Sequence, residues 1–170
     1  MGIDSVAVPF EPSPLRLWKS LDRDARLAAA RAFWDRPSEE AAVAAAREIV
    51  SILKVRPQAF HKIPLEQRVR AVAGLAHPPD ALADALLLAL HVEARRELLV
   101  AFLDAVGVPH EQGMIPDDVE MPEVGVETVR AAAPALVAAH GAEAVRVYWN
   151  ALWLQDPERW GALETVAAEL

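Results

Sequence analysis

Thirteen prolines cut this chain of 170 residues into short lengths, and most of those lengths carry an apolar pattern of helical period. Proline lacks a backbone donor and clashes with the turn before it, so helices end ahead of it or begin with it. The segments between the prolines draw on 34 Ala and 20 Leu, both strong helix formers. Seven Gly, two Thr and one Asn are too few for the regularly spaced turns of an all-β protein. The sequence therefore predicts an all-α fold, an irregular multi-helix bundle of roughly seven to nine helices. An α-solenoid-like arrangement of helical hairpins is the alternative, although no residue signature recurs at a repeat period. The length fits one domain. Residues 1–12 have no periodicity and contain Pro9 and Pro12, so they read as an extended N-terminal arm, with Phe10 as its point of attachment. Residues 13–170 read as a single helical domain.

Within that domain the boundaries have local causes. Ser13-Pro14, Asp22 and Ser38 are N-cap signals, each followed by apolar residues at helical spacing. The stripe of Ala42, Ala46, Ile49 and Leu53 ends at Pro57. Pro64 and Asp80 open two more helices. The second holds Leu82, Leu86, Leu87, Leu88 and Leu90, which point in all directions and predict a central helix. Residues 80–106 form either one long helix or two. Gly107-Val108-Pro109 is a strong stop: Gly for a left-handed residue, an apolar residue after it, then Pro. A helix follows at about 125–140, which Pro134 is expected to kink by removing the bond to the Arg130 carbonyl. Another spans 142–154, and Asp156-Pro157-Glu158 starts the last.

Between positions 108 and 124 the helical pattern fails. This stretch has Pro109, Pro116 and Pro122 and alternates apolar residues with acids, so it predicts an ordered extended loop held by Met114, Ile115, Val119 and Met121. It also lies at the centre of the charge distribution. From Glu97 to Val129 there are eight acids and no Lys or Arg, while acids and bases elsewhere balance, so the whole net charge of −8 resides there. A nucleic-acid partner needs a basic stripe, and none exists. No apolar run approaches the ~20 residues of a membrane span.

The absence of cysteine excludes disulfides, thiolate catalysis and cysteine-ligated metals, and favours the cytosol. The opening MGIDSVAVPFEP has an acid at position 4 and no basic region, so a signal peptide is not expected. Arg outnumbers Lys 14 to 3, which together with the Ala content suggests a GC-rich coding sequence and a bacterial source.

Catalytic spacings are missing. The five histidines, His61, His77, His91, His110 and His140, are too far apart to share a helix face, so neither HExxH nor Glu-x-x-His occurs. His91 and His140 lie near expected helix C-termini, where a partly positive imidazole is favoured. No glycine-rich phosphate loop and no GxSxG occurs. The acidic loop misses both the EF-hand register and the DDxxD pattern, since Met121 stands where the third acid belongs. No catalytic residue, metal ligand or cofactor is assigned. What remains is a docking surface: His110, Glu111, Asp117, Asp118 and Glu120 on the loop, with Trp149 and Trp153, one helical turn apart, as aromatic anchors or as core. The expectation is a cytosolic interaction or adaptor module for a protein partner with a basic surface. The alternative is a small enzyme or ligand-binding protein whose pocket the loop roofs, using His110, Glu111 and Asp117.

Overall fold

The computed structural model describes residues 12–170; the expected N-terminal arm, apart from Pro12, lies outside the described residues. The described chain is all-α. Its nine α-helices are α1 (Pro14–Ser20), α2 (Arg23–Asp35), α3 (Glu39–Leu53), α4 (Leu65–Ala73), α5 (Asp80–Ala89), α6 (Arg96–Ala105), α7 (Val126–His140), α8 (Ala142–Gln155) and α9 (Gly161–Ala167). A 3-10 helix at Pro57–Lys62 and a π-turn at Leu90–Ala94 complete the helical content.

The caps behave as their chemistry requires. The side chains of Ser13, Asp22 and Ser38 accept from the backbone N–H of Arg16, Ala25 and Ala41, satisfying first-turn donors that no carbonyl can reach. At the end of α1, Arg26 reaches across from α2 and donates to the carbonyls of Trp18 and Lys19, and its guanidinium lies over the Trp18 ring. Arg68 does the same for the 3-10 helix, bonding the carbonyls of Phe60 and His61. Helix α6 ends in a Schellman motif: Val108 N–H bonds Leu103 O, Gly107 N–H bonds Asp104 O, and Gly107 has φ +74°.

Two apolar clusters form the interior. Helices α1 to α5 bury Trp18, Ala29, Ile49, Val69, Leu82 and Leu86 in the first. Helices α6 to α9 bury Leu98, Phe102, Val129, Val145, Trp149 and Leu163 in the second. Each fully buried large apolar side chain contributes about 1.5–3 kcal/mol of transfer free energy. The segment 80–106 joins the clusters: α5 lies in the first and α6 in the second, with the π-turn between them. It is two α-helices joined through that turn, because Arg95, at φ −119°, ψ 34°, leaves helical geometry before α6 begins. The turn is closed by the i→i+5 bond from Arg95 N–H to Leu90 O at 2.7 Å. Helix α8 also spans both, since Val147 belongs to the first cluster and its neighbours to the second.

This packing separates a bundle from a solenoid. In a solenoid each unit touches its sequence neighbours, whereas here α1 packs on α5 and α8, and α2 packs on α4, α5 and the π-turn. Helix α7 runs through Pro134 without ending. The last helix starts later than Asp156-Pro157 implies. Asp156 does cap a turn, accepting from Arg159 N–H, but Trp160 at φ −106°, ψ 20° leaves helical geometry and regular α structure resumes at Gly161.

Candidate functional site

The acidic loop is ordered from within. Its first turn, Glu111–Met114, is closed by Glu111 N–H to Met114 O (2.8 Å) and Met114 N–H to Glu111 O (3.0 Å). Both central residues have positive φ, Gln112 at 52° and Gly113 at 88°, the geometry of a primed turn. His110 clips this turn to α6. Its Nδ1 accepts from Gly113 N–H at 3.0 Å, which places the ring proton on Nε2, donating to Asp104 Oδ1 at 2.9 Å. Downstream, Ile115 and Met121 pack against the second cluster, and Val108 and Val124 are buried at the two ends.

The expected site residues fall into three groups. His110 is a structural clip with a largely covered side chain. Glu111, Asp117, Asp118 and Glu120 are exposed, and none has an ion-pair partner among the described residues. Trp149 is 0% exposed and belongs to the core, while Trp153 is half-buried and packs against the same cluster. Trp149 packs on Phe102 with ring centroids 5.9 Å apart. One expected loop anchor also differs: Met114 is 63% exposed. Its neighbour Ile115, by contrast, packs against the second cluster.

Residues His110, Glu111 and Asp117 do not converge on any described cleft. A cleft of about 570 Å³ beside the loop takes Gln112 from it, together with Glu93, Arg95, Glu97 and His140. Among the described residues no group of three His, Asp or Glu is placed to hold a metal ion, and no helix is long and apolar enough to cross a membrane.

A second place carries chemistry that sequence reasoning missed. His91 lies in the π-turn, the last turn before Arg95 leaves helical geometry, and it is 5% exposed. Burial, and secondarily the Arg95 charge, push its pKa down to about 4, while a hydrogen bond with the Leu87 backbone acts in the opposite sense. The ring is therefore neutral near pH 7, the reverse of the partly positive imidazole expected from sequence. Its Nε2 has no hydrogen-bond partner among the described residues, and neither has the buried hydroxyl of Tyr148. The two rings lie 5.1 Å apart between centroids, tilted at 48°, and burial raises the Tyr148 pKa. Leaving such groups unpaired costs about 1–3 kcal/mol each. Both line a small cleft of about 70 Å³ with walls of Leu87, Leu88, Leu99 and Leu152. The run Ala85–Val92, apolar except for His91, was the available signal: a histidine inside an all-round apolar stretch is enclosed with it.

Comparison with protein-family models, with curated proteins and with solved structures finds no match.

Proposed function

We propose that this chain is a helical interaction module that docks a protein partner with a basic surface on the loop 108–124. The observation that carries this reading is the pairing of a fixed loop conformation with unneutralised charge. The His110 clip and the primed turn order the backbone in advance, so docking has little loop entropy left to lose. Meanwhile Glu111, Asp117, Asp118 and Glu120 stand exposed with no ion-pair partner among the described residues, and Met114 on the same loop is exposed. An apolar contact ringed by polar groups is the usual anatomy of a protein interface. Carboxylates at this density speed encounter with a basic surface, within a Debye length of about 10 Å at 0.1 M salt.

The test is titration of the ¹⁵N-labelled protein with a Lys/Arg-rich peptide bearing one central Leu. Shifts confined to residues 110–123, lost on raising the salt and in the D117K/D118K/E120K triple variant at unchanged melting temperature, support the reading. Shifts spread equally over other exposed acids such as Glu39 and Glu40, or binding that survives the triple charge reversal, overturn it. A Met114→Ser variant then measures the apolar share of the affinity.

A further inference from the structure

We propose that the cleft beside the acidic loop binds a small zwitterion of the amino-acid class, with Arg95 and His140 taking its carboxylate and Glu97 its ammonium group. Three distant parts of the chain meet there. The turn into α6 supplies Arg95 and Glu97, the loop supplies Gln112, and the end of α7 supplies His140. At about 570 Å³ the cleft has the size of an ordinary small-molecule pocket. A second cleft of about 320 Å³ shares Arg95, His140 and Ala144 with it, so the guanidinium and the imidazole belong to the wall common to both.

The charges that line the cleft select the ligand. Glu93 and Arg96 neutralise each other at 2.9 Å. Arg95 and Glu97 remain, one charge of each sign, and neither has an ion-pair partner among the described residues. Arg95 is only partly exposed, so a carboxylate gains more beside it than beside a fully solvated arginine. Its planar fork of N–H donors matches a carboxylate two bonds at a time. His140, whichever ring nitrogen carries the proton, adds another N–H donor. A simple carboxylate would meet Arg95 but stand near the like charge of Glu97. A simple amine would meet Glu97 and be repelled by Arg95. A molecule that carries both groups complements both residues, and Ala94, Leu98, Val100 and Ala144 line the cleft for a short methylene chain between them.

Gln112 is the part of the loop held ready for this site. Its φ of +52° lies in the left-handed region, which residues other than Gly, Asn and Asp seldom enter. Two backbone hydrogen bonds across the 111–114 turn and the His110 clip to α6 keep it there. Backbone in sparsely populated conformations gathers at ligand clamps. The Gln112 amide both donates and accepts, so it can serve either end of a zwitterion.

The probes are 5-aminopentanoate, pentanoate and pentylamine, which share a five-carbon chain and differ in the charges they carry. Titrations of the full-length protein at low salt are followed by amide and methyl shifts. The expected result is saturable binding of 5-aminopentanoate in the millimolar range, with shifts centred on Ala94, Leu98, Gln112 and Ala144. Pentanoate should bind about fivefold more weakly, the worth of a partly solvated ion pair, and pentylamine more weakly still. Arg95→Gln should weaken 5-aminopentanoate about tenfold at unchanged melting temperature, since a charge-assisted pair is lost and no ion pair within the fold is broken. Glu97→Gln should erase the difference between 5-aminopentanoate and pentanoate. Equal affinity for those two in the parent would overturn the proposal. So would shifts that never saturate, an Arg95→Gln variant that binds as well as the parent, or shifts centred on Asp117, Asp118 and Glu120. Neither variant alters an acid of the loop, so both should still bind the Lys/Arg-rich peptide, and the two readings fail separately.

Discussion

Gly113 lies so close to Leu99 that a Cβ added to it would come within 2.7 Å of Leu99 Cδ2. Its φ of +88° is also one that L side chains resist. Gly113→Ala therefore carries two penalties, steric and conformational, and is expected to cost about 2 kcal/mol or more. Gly125→Ala is the control. Gly125 has φ −81° and nothing within 4 Å of the added atom, but it is the N-cap of α7, where Ala is poorer than Gly, so the change is expected to stay within about 1 kcal/mol of neutral. Thermal unfolding of both variants checks the contrast; equal melting temperatures would mean that the 111–114 turn is not packed on α6.

The His110 clip predicts a local rather than a global effect. Removing the ring in His110→Ala frees the Gly113 N–H and the Asp104 carboxylate, each on partly or fully exposed chain. The expected loss of global stability is about 1 kcal/mol. Hydrogen exchange at Gly113 is expected to accelerate roughly tenfold, the factor that corresponds to about 1.4 kcal/mol of local protection. Asp104→Asn removes the charge and keeps an acceptor for Nε2, so it should leave the Gly113 amide nearly as protected as in the parent. Should Asp104→Asn release Gly113 as fully as His110→Ala, the charge and not the hydrogen bond would be holding the clip.

These contacts mark the boundary of what the sequence reveals. The helices were legible because their signals are local: Ser13, Asp22 and Ser38 cap where caps were expected, and Gly107-Val108 closes α6 through two backbone bonds. The 3-10 helix at 57–62 was not legible, because its last carbonyls are satisfied by Arg68 from α4. Nor was the π-turn, which lies where the segment passes from the first cluster to the second. The loop's acids and its break from the helical pattern are legible in the sequence. Its ordering element, however, is a histidine ring bonding a backbone amide three residues on, and that is a matter of geometry rather than composition. The burial of Trp149 and the exposure of Met114 likewise depend on which neighbour turns inward.

At the first cluster, Trp18 is wholly buried and its indole N–H donates to Leu75 O at 2.8 Å across 57 residues of chain. This bond ties α1 to the turn after α4. Trp18→Phe removes the donor, leaves the Leu75 carbonyl short of a partner and opens a small void, for a combined cost of about 2–4 kcal/mol. Urea unfolding measures it. A loss below about 1 kcal/mol would show that water or a backbone shift satisfies Leu75 once the indole is gone.

His91 sets the response to acid. Its pKa in the folded protein is about 4, below the 6.5 of an ordinary imidazole. Between those values the unfolded chain holds a proton that the folded chain does not, so lowering the pH favours unfolding. The group's stabilising effect is fully present above pH 6.5, shrinks as the pH falls toward 4, and changes no further below that. Over the whole window the loss is roughly 3 kcal/mol. His91→Gln cannot titrate, so its stability curve should be flatter between pH 6.5 and 4. Subtracting the two curves cancels carboxylates such as Asp84, whose pKa burial raises. Arg95→Gln removes the charge that adds to the effect of burial, and its curve should fall between the other two. Parallel curves for the parent and His91→Gln would show that the folded and unfolded chains bind the imidazole proton equally, so that burial does not lower its pKa.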